Sequence, residues 1–147
     1  MKARDLMTSN PEFVTPDDSI DRAAQIMRDV DVGIVPVVDN ASDRRLQGVI
    51  TDRDIAIRHV AEGHHEQCRV ADHMTRELDT VNPDADGHEV LRLMEREKIR
   101  RVPVVEEGNR LVGIIAQADI LTKLGPQEPE QVEETIEKIS EPGSQGR

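Results

Sequence analysis

The sequence predicts a mixed α/β (α+β) fold of two pseudo-symmetric β-α-β-β-α repeats, packed sheet to sheet with the helices outside. Three observations predict it. Short motifs recur in the same order in the two halves of the chain. Each half alternates brief aliphatic runs with amphipathic helical stretches. Phe13 is the only aromatic residue among 147, so the core must come from Ile, Val, Leu, Ala and Met, which suit a sheet covered by helices.

The recurrence can be followed element by element. Asp5-Leu6-Met7-Thr8 returns as Asp72-His73-Met74-Thr75, an offset of 67 residues from Met7 to Met74. Val14-Thr15-Pro16-Asp17 returns as Val81-Asn82-Pro83-Asp84, and Val35-Pro36-Val37-Val38 as Val102-Pro103-Val104-Val105, at the same offset. From Gly48 to Gly113 the offset is 65. The first repeat therefore carries two extra residues between Asn40 and Arg45, and insertions of that kind belong in exposed turns.

Within each repeat a short strand near Phe13–Thr15 ends at a proline. A helix follows, capped by Ser19 in the first repeat, with Ile20, Ala23, Ala24 and Met27 at helical spacing. Asp86 caps its counterpart, with Glu89 placed for a capping box and Val90, Leu91 and Met94 on the apolar face. Pro36 and Pro103 open buried strands. Gly48-Val49-Ile50 and Gly113-Ile114-Ile115 form the next strands, which run directly into helices from about Asp52 and about Gln117. The expected boundaries are 1–66, 67–125 and an acidic, partly disordered tail over 126–147. In that tail Val132, Ile136 and Ile139 mark a possible short helix.

Composition narrows the function. A net charge of −11 argues against nucleic acid as a partner, because a phosphate backbone is repelled at long range. No apolar run approaches the ~20 residues of a membrane span. The amino terminus lacks a signal-peptide core, so the cytoplasm is the expected compartment. Cys68 is the only cysteine and offers no paired metal motif. The adjacent pair His64-His65 lacks the spacing of a helical metal site. No histidine is teamed with a nucleophile and an orienting acid. No catalytic residue, metal or required cofactor is expected, and the chain is read as a non-enzyme.

The segment Gly48-Val49-Ile50-Thr51-Asp52-Arg53-Asp54 carries the most chemistry. A helix starting after Thr51 points free N–H groups and its positive dipole end outward, a seat for phosphate. The Thr51 hydroxyl can donate to a phosphate oxygen, and the Asp54 carboxylate can accept both hydroxyls of a ribose. The same Thr-x-x-Asp spacing is also a helix cap, and the two roles can coexist. The second repeat keeps Asp119 but has Ala116 in place of the hydroxyl residue.

All these motifs, in order and twice over roughly Ala3 to Leu124, resemble the CBS domain family in its paired form, the Bateman module. The chain looks like the stand-alone type found in bacteria. The resemblance implies an adenine nucleotide (AMP, ADP, ATP or S-adenosylmethionine) as a regulatory ligand. Thr51 would meet phosphate and Asp54 ribose. Thr15, Ile34 and Val35 would surround one adenine, and Asn82 and Val102 the other, with Asp119 on the second ribose. Arg101 would reach phosphate or solvate the surface. The family also forms disc-like dimers, and the apolar helix faces here lead to the same expectation of a homodimer acting on an unknown regulated protein. The competing reading is a protein-protein interaction or oligomerisation module with vestigial clefts.

Overall fold

A computed structural model describes residues 1–64 and 68–124, together with Glu137. The architecture is mixed α/β, as the sequence predicts. The expected tail helix and disordered end lie outside the described residues, apart from Glu137, as does His65. Among the described residues, no helix is long and apolar enough to cross a membrane.

The chain forms two compact units. One comprises Pro11–Leu78 with Gly108–Leu111. The other gathers Met1–Asn10, Asp79–Glu107 and, among the described residues, 112–124.

In the first unit, helix α2 (Ile20–Val30) is followed by strands β2 (Ile34–Val38) and β3 (Leu46–Thr51). The Ser19 hydroxyl accepts the Arg22 N–H and starts α2. Strand β2 pairs antiparallel with β3, Ile34 opposite Thr51 and Val35 opposite Ile50. The turn between them is where the two-residue insertion falls. There the Asn40 carboxamide oxygen accepts the N–H groups of Ser42 and Asp43, an Asx turn. Helix α3 (Asp52–Asp54) continues into a π-helical stretch, Ile55–Val60, and α4 (Val70–His73) closes the unit. Val14, Ile20, Ala23, Ile26, Val35, Val37, Ile50, Val70 and Met74 make the core.

The second unit begins with α1 (Ala3–Leu6) and the short strand β1 (Thr8–Ser9). Helix α5 (Gly87–Glu97) and strands β4 (Arg101–Glu106) and β5 (Arg110–Ala116) follow. The sheet order is β1-β5-β4, with Thr8 opposite Ile114. Helix α6 (Gln117–Asp119) again runs into a π-helical stretch, Ile120–Leu124. Ala3 and Leu6 pack with Leu91, Met94, Ile115 and Leu124 in this core.

Several details differ from expectation. The strand near Phe13–Thr15 shrinks to one parallel bridge, Val14 with Val37. Both prolines sit inside their strands; Pro36 and Pro103 instead use their carbonyls, accepting from Val14 and Val81. That is the way a residue without an N–H joins a sheet. Ala24 is exposed and Ile26 takes its place in the core, because the buried stripe of α2 runs through positions 20, 23 and 26. Asp86 does cap α5, but its carboxylate takes the His88 N–H, two residues on, so the box with Glu89 does not form.

Candidate functional site

The junction of β3 and α3 is built by local hydrogen bonding. Thr51 has extended backbone (φ −111°, ψ 161°) and stands at the helix N-cap. Its Oγ1 accepts the Asp54 N–H at 3.0 Å, and Asp54 Oδ2 accepts the Thr51 N–H at 3.0 Å. This reciprocal capping box satisfies two of the N–H groups that a helix start leaves free. Only 5% of Thr51 and 7% of Asp54 remain exposed. The cap role weighed in the sequence is therefore real.

The cap leaves capacity unused. Accepting a bond commits a lone pair of Thr51 and not its proton, and among the described residues no acceptor faces that proton. Asp54 Oδ1 receives only a long bond from the Thr75 hydroxyl, 3.3 Å, while the Arg58 Nε lies 3.6 Å away. A carboxylate offers about four lone-pair sites. A half-used acceptor and an uncommitted donor thus stand one helical turn apart.

Apolar residues stand beside this pair. Ile34 faces Thr51 across the β2–β3 ladder and Val35 is its neighbour, both buried. The Asp52 N–H donates to the Gly33 carbonyl at 3.0 Å, which ties the strand lead-in to the helix start. Thr15 follows Val14, which is bonded to the middle of β2, and the Thr15 N–H donates to Asp18 at 2.7 Å. The structure therefore brings Ile34, Val35, Thr51 and Asp54 together, with Thr15 on the adjoining segment.

Two residues of this site escaped the sequence reading. Arg58 lies four residues after Asp54, a helical ion-pair spacing that was legible in principle. Thr75 belongs to the recurring Met-Thr pair. Its backbone exchanges bonds of 2.8 and 2.9 Å with Val49, which delivers its hydroxyl to Asp54. Nothing local to Thr75 signals that long-range pairing.

The other unit repeats the scaffold with less chemistry. The Arg100 carbonyl accepts the Gln117 N–H at 2.8 Å, matching Gly33 with Asp52. Asp119 is half-buried and its Oδ2 accepts the Ala116 N–H at 2.6 Å. Ala116 has no oxygen to complete the box. Val102 is buried and Arg101 half-buried at the start of β4. Asn82 is exposed, and its side-chain oxygen accepts the Asp84 N–H at 2.9 Å, fixing its own loop.

This difference yields a test. Ala116 has φ −105° and ψ 160°, nearly the backbone of Thr51. Ala116→Thr should fit without strain and supply the missing cap. The expected gain is about 0.5–2 kcal/mol of stability, read as a raised urea midpoint.

Comparison with known proteins agrees with this scaffold. The CBS domain profile matches residues 3–59 and again 70–125. Hypoxic response protein 1 of Mycobacterium tuberculosis is 39% identical over 123 residues, 83% of this chain and 84% of that protein. The crystal structure of Hypoxic Response Protein I, with two coordinated zinc ions, has a TM-score of 0.74 at 36% identity, over 84% of this chain and 98% of its own. The CBS domain pair of protein MJ0100, in complex with 5-methylthioadenosine and S-adenosyl-L-methionine, has a TM-score of 0.76 at 29% identity, covering 87% of this chain and 98% of its own. CBSX2 in complex with AMP has a TM-score of 0.72 at 25% identity, covering 86% and 98%. The recurring motifs, the doubled strand-to-helix junction and these matches agree: the chain belongs to the CBS domain family, as a tandem pair.

Proposed function

We propose that this protein is a regulatory module that binds an adenine nucleotide or S-adenosylmethionine. The observation that carries the reading is the buried Thr51–Asp54 pair, which caps a helix and still has one donor and one acceptor to spare. In this reading Asp54 takes ribose hydroxyls, Thr51 takes phosphate or its equivalent, and Thr15, Ile34 and Val35 form the base slot. Asn82, Arg101, Val102 and Asp119 form a second, weaker cleft, because Ala116 cannot donate. The adenine-containing ligands of the MJ0100 and CBSX2 structures support the ligand class. The module is read as non-catalytic, cytoplasmic and homodimeric, signalling to a regulated protein by a change of packing. That change can be no larger than the ligand's differential affinity for the two states.

A second reading is an interaction module without a ligand. It is favoured by Ala116 and by the exposed apolar side chains of Ile57, Val60 and Leu121 on the π-helical stretches.

A thermal-unfolding panel of AMP, ADP, ATP and S-adenosylmethionine separates the two. A true ligand at a hundredfold excess over its Kd stabilises by about 2.7 kcal/mol. Light scattering on the same samples should give twice the chain mass. A dimer with no response to any of the four ligands would select the interaction reading, and a ligand-responsive monomer would remove the homodimer.

A further inference from the structure

His64, His73 and the single cysteine, Cys68, line a cleft of the first unit that shares Arg58 with the Asp54 site, and His59 stands within 3.3 Å of His73. His59 lies on the π-helical stretch, and His73 ends α4. The wide i+5 hydrogen bond from the His64 N–H to the His59 carbonyl, 3.0 Å, stacks the His64 ring over that of His59, with centroids 6.1 Å apart. Glu62 and Asp72 line the same cleft.

The distances have a chemical meaning. One donor atom from each of His59, Cys68 and His73 lies within 4.8 Å of the others. His59 Nδ1 and His73 Nε2 are 3.3 Å apart. Cys68 Sγ stands 3.9 Å from His64 Nδ1. Around a tetrahedral zinc ion, with bonds of about 2.0–2.1 Å to nitrogen and 2.3 Å to sulfur, two nitrogens lie about 3.3 Å apart and nitrogen and sulfur about 3.5 Å. The histidine pair already has that separation; the thiol has to close by about 0.4 Å on His64 and by up to about 1.3 Å on His59 and His73.

We propose that His59, Cys68 and His73 bind a single divalent transition metal of zinc type, with the His64 ring closing the fourth position. Imidazole and thiolate are the donor set that such a borderline-soft ion selects. On binding, the Cys68 thiol gives its proton to solvent and the sulfur–metal bond forms; no oxidation is involved. The cleft also suits the charge. Burial, helped by the neighbouring His59, His64 and Arg58 and opposed by Asp72, lowers the affinity of His73 for protons. The Arg58 guanidinium would repel a cation. It lies within ion-pair range of Asp54 and also donates to the carbonyls of His73 and Met74 at 3.3 Å. Glu62 and Asp72 supply compensating negative charge.

The test uses the full chain, stripped with a chelator and free of nucleotide, so it stands apart from the ligand panel. Titration with Co²⁺ should saturate at one ion per chain. It should produce a near-ultraviolet thiolate-to-cobalt band with tetrahedral visible bands, and Zn²⁺ should bleach both. Cys68→Ser should abolish the near-ultraviolet band and weaken Zn²⁺ binding at least tenfold. His59→Gln, at a half-buried position, should weaken it comparably. His88→Gln, in the other unit, should change nothing. Absence of the thiolate band, or equal Zn²⁺ affinity in wild type and Cys68→Ser, would overturn the proposal.

Discussion

Asp54→Asn is expected to leave the protein folded and to weaken nucleotide binding by tenfold to a hundredfold. The asparagine oxygen can still accept the Thr51 N–H that now bonds to Oδ2. Its amide nitrogen can donate to the Thr75 hydroxyl, which lies 3.2–3.3 Å from the carboxylate oxygens. The cap is thus largely kept, and the stability loss should be about 1 kcal/mol. What disappears is the charge and one acceptor. Hydrogen bonds to a charged group contribute about 1.5–3 kcal/mol, which is the stated loss of affinity. The deciding measurement is calorimetry with an adenine nucleotide and its 2′-deoxy analogue. Wild type should prefer the ribose form, and the mutant should lose most of that preference. A mutant that weakens both ligands equally would assign Asp54 to the scaffold alone.

Gly48→Ala should be among the most damaging single-methyl changes in the chain. A Cβ at Gly48 would collide with the Thr75 carbonyl oxygen, well inside van der Waals contact, and would lie 2.5 Å from the Met74 methyl. The methionine can swing away. The carbonyl cannot, because it accepts the Val49 N–H at 2.9 Å in a two-way bridge. Overpacking of this kind costs about 1–3 kcal/mol, and displacement of Thr75 should also loosen Asp54. Gly113 holds the equivalent place in the other unit. There a Cβ meets chiefly the flexible Met7 side chain, with the Thr8 carbonyl oxygen at 2.9 Å. Gly113→Ala should therefore cost less. Urea unfolding of both variants checks the order, and equal midpoints would contradict the backbone-clash argument.

The same two glycines show what the sequence could reveal. Their spacing marked the strand-to-helix junctions and placed Thr51, Asp54, Ala116 and Asp119 correctly, because all of that is local. Helix starts at Ser19 and Asp86 were legible from cap chemistry for the same reason. The Met-Thr segments were visible as repeats, yet their partners were not. Thr75 pairs back to Val49, and Thr8 pairs with Ile114 across most of the chain. Such register depends on the whole sheet, and no window of neighbouring residues encodes it. The histidine cluster was hidden in the same way. His59, Cys68 and His73 sit at spacings of nine and five residues, and only the π-helical turn and the short helix α4 fold those intervals onto one point. Ala24 and Ile26 exchanged roles because a three-residue stripe on α2 leaves several angular assignments open.

The pairing of Thr8 with Ile114 also bears on how the chain is made. Residues 1–10 are translated well before the rest of their unit, which is completed only by 79–107 and 112–124. At about 5–20 residues per second, roughly a hundred residues of synthesis keep this segment waiting for some 5–20 seconds. Ala3 and Leu6, which end fully buried, spend that interval without their partners. Pro11–Leu78 has nearly all its own material much earlier and lacks only the short stretch Gly108–Leu111. The unit built on Pro11–Leu78 is thus equipped to fold before the unit that holds residues 1–10.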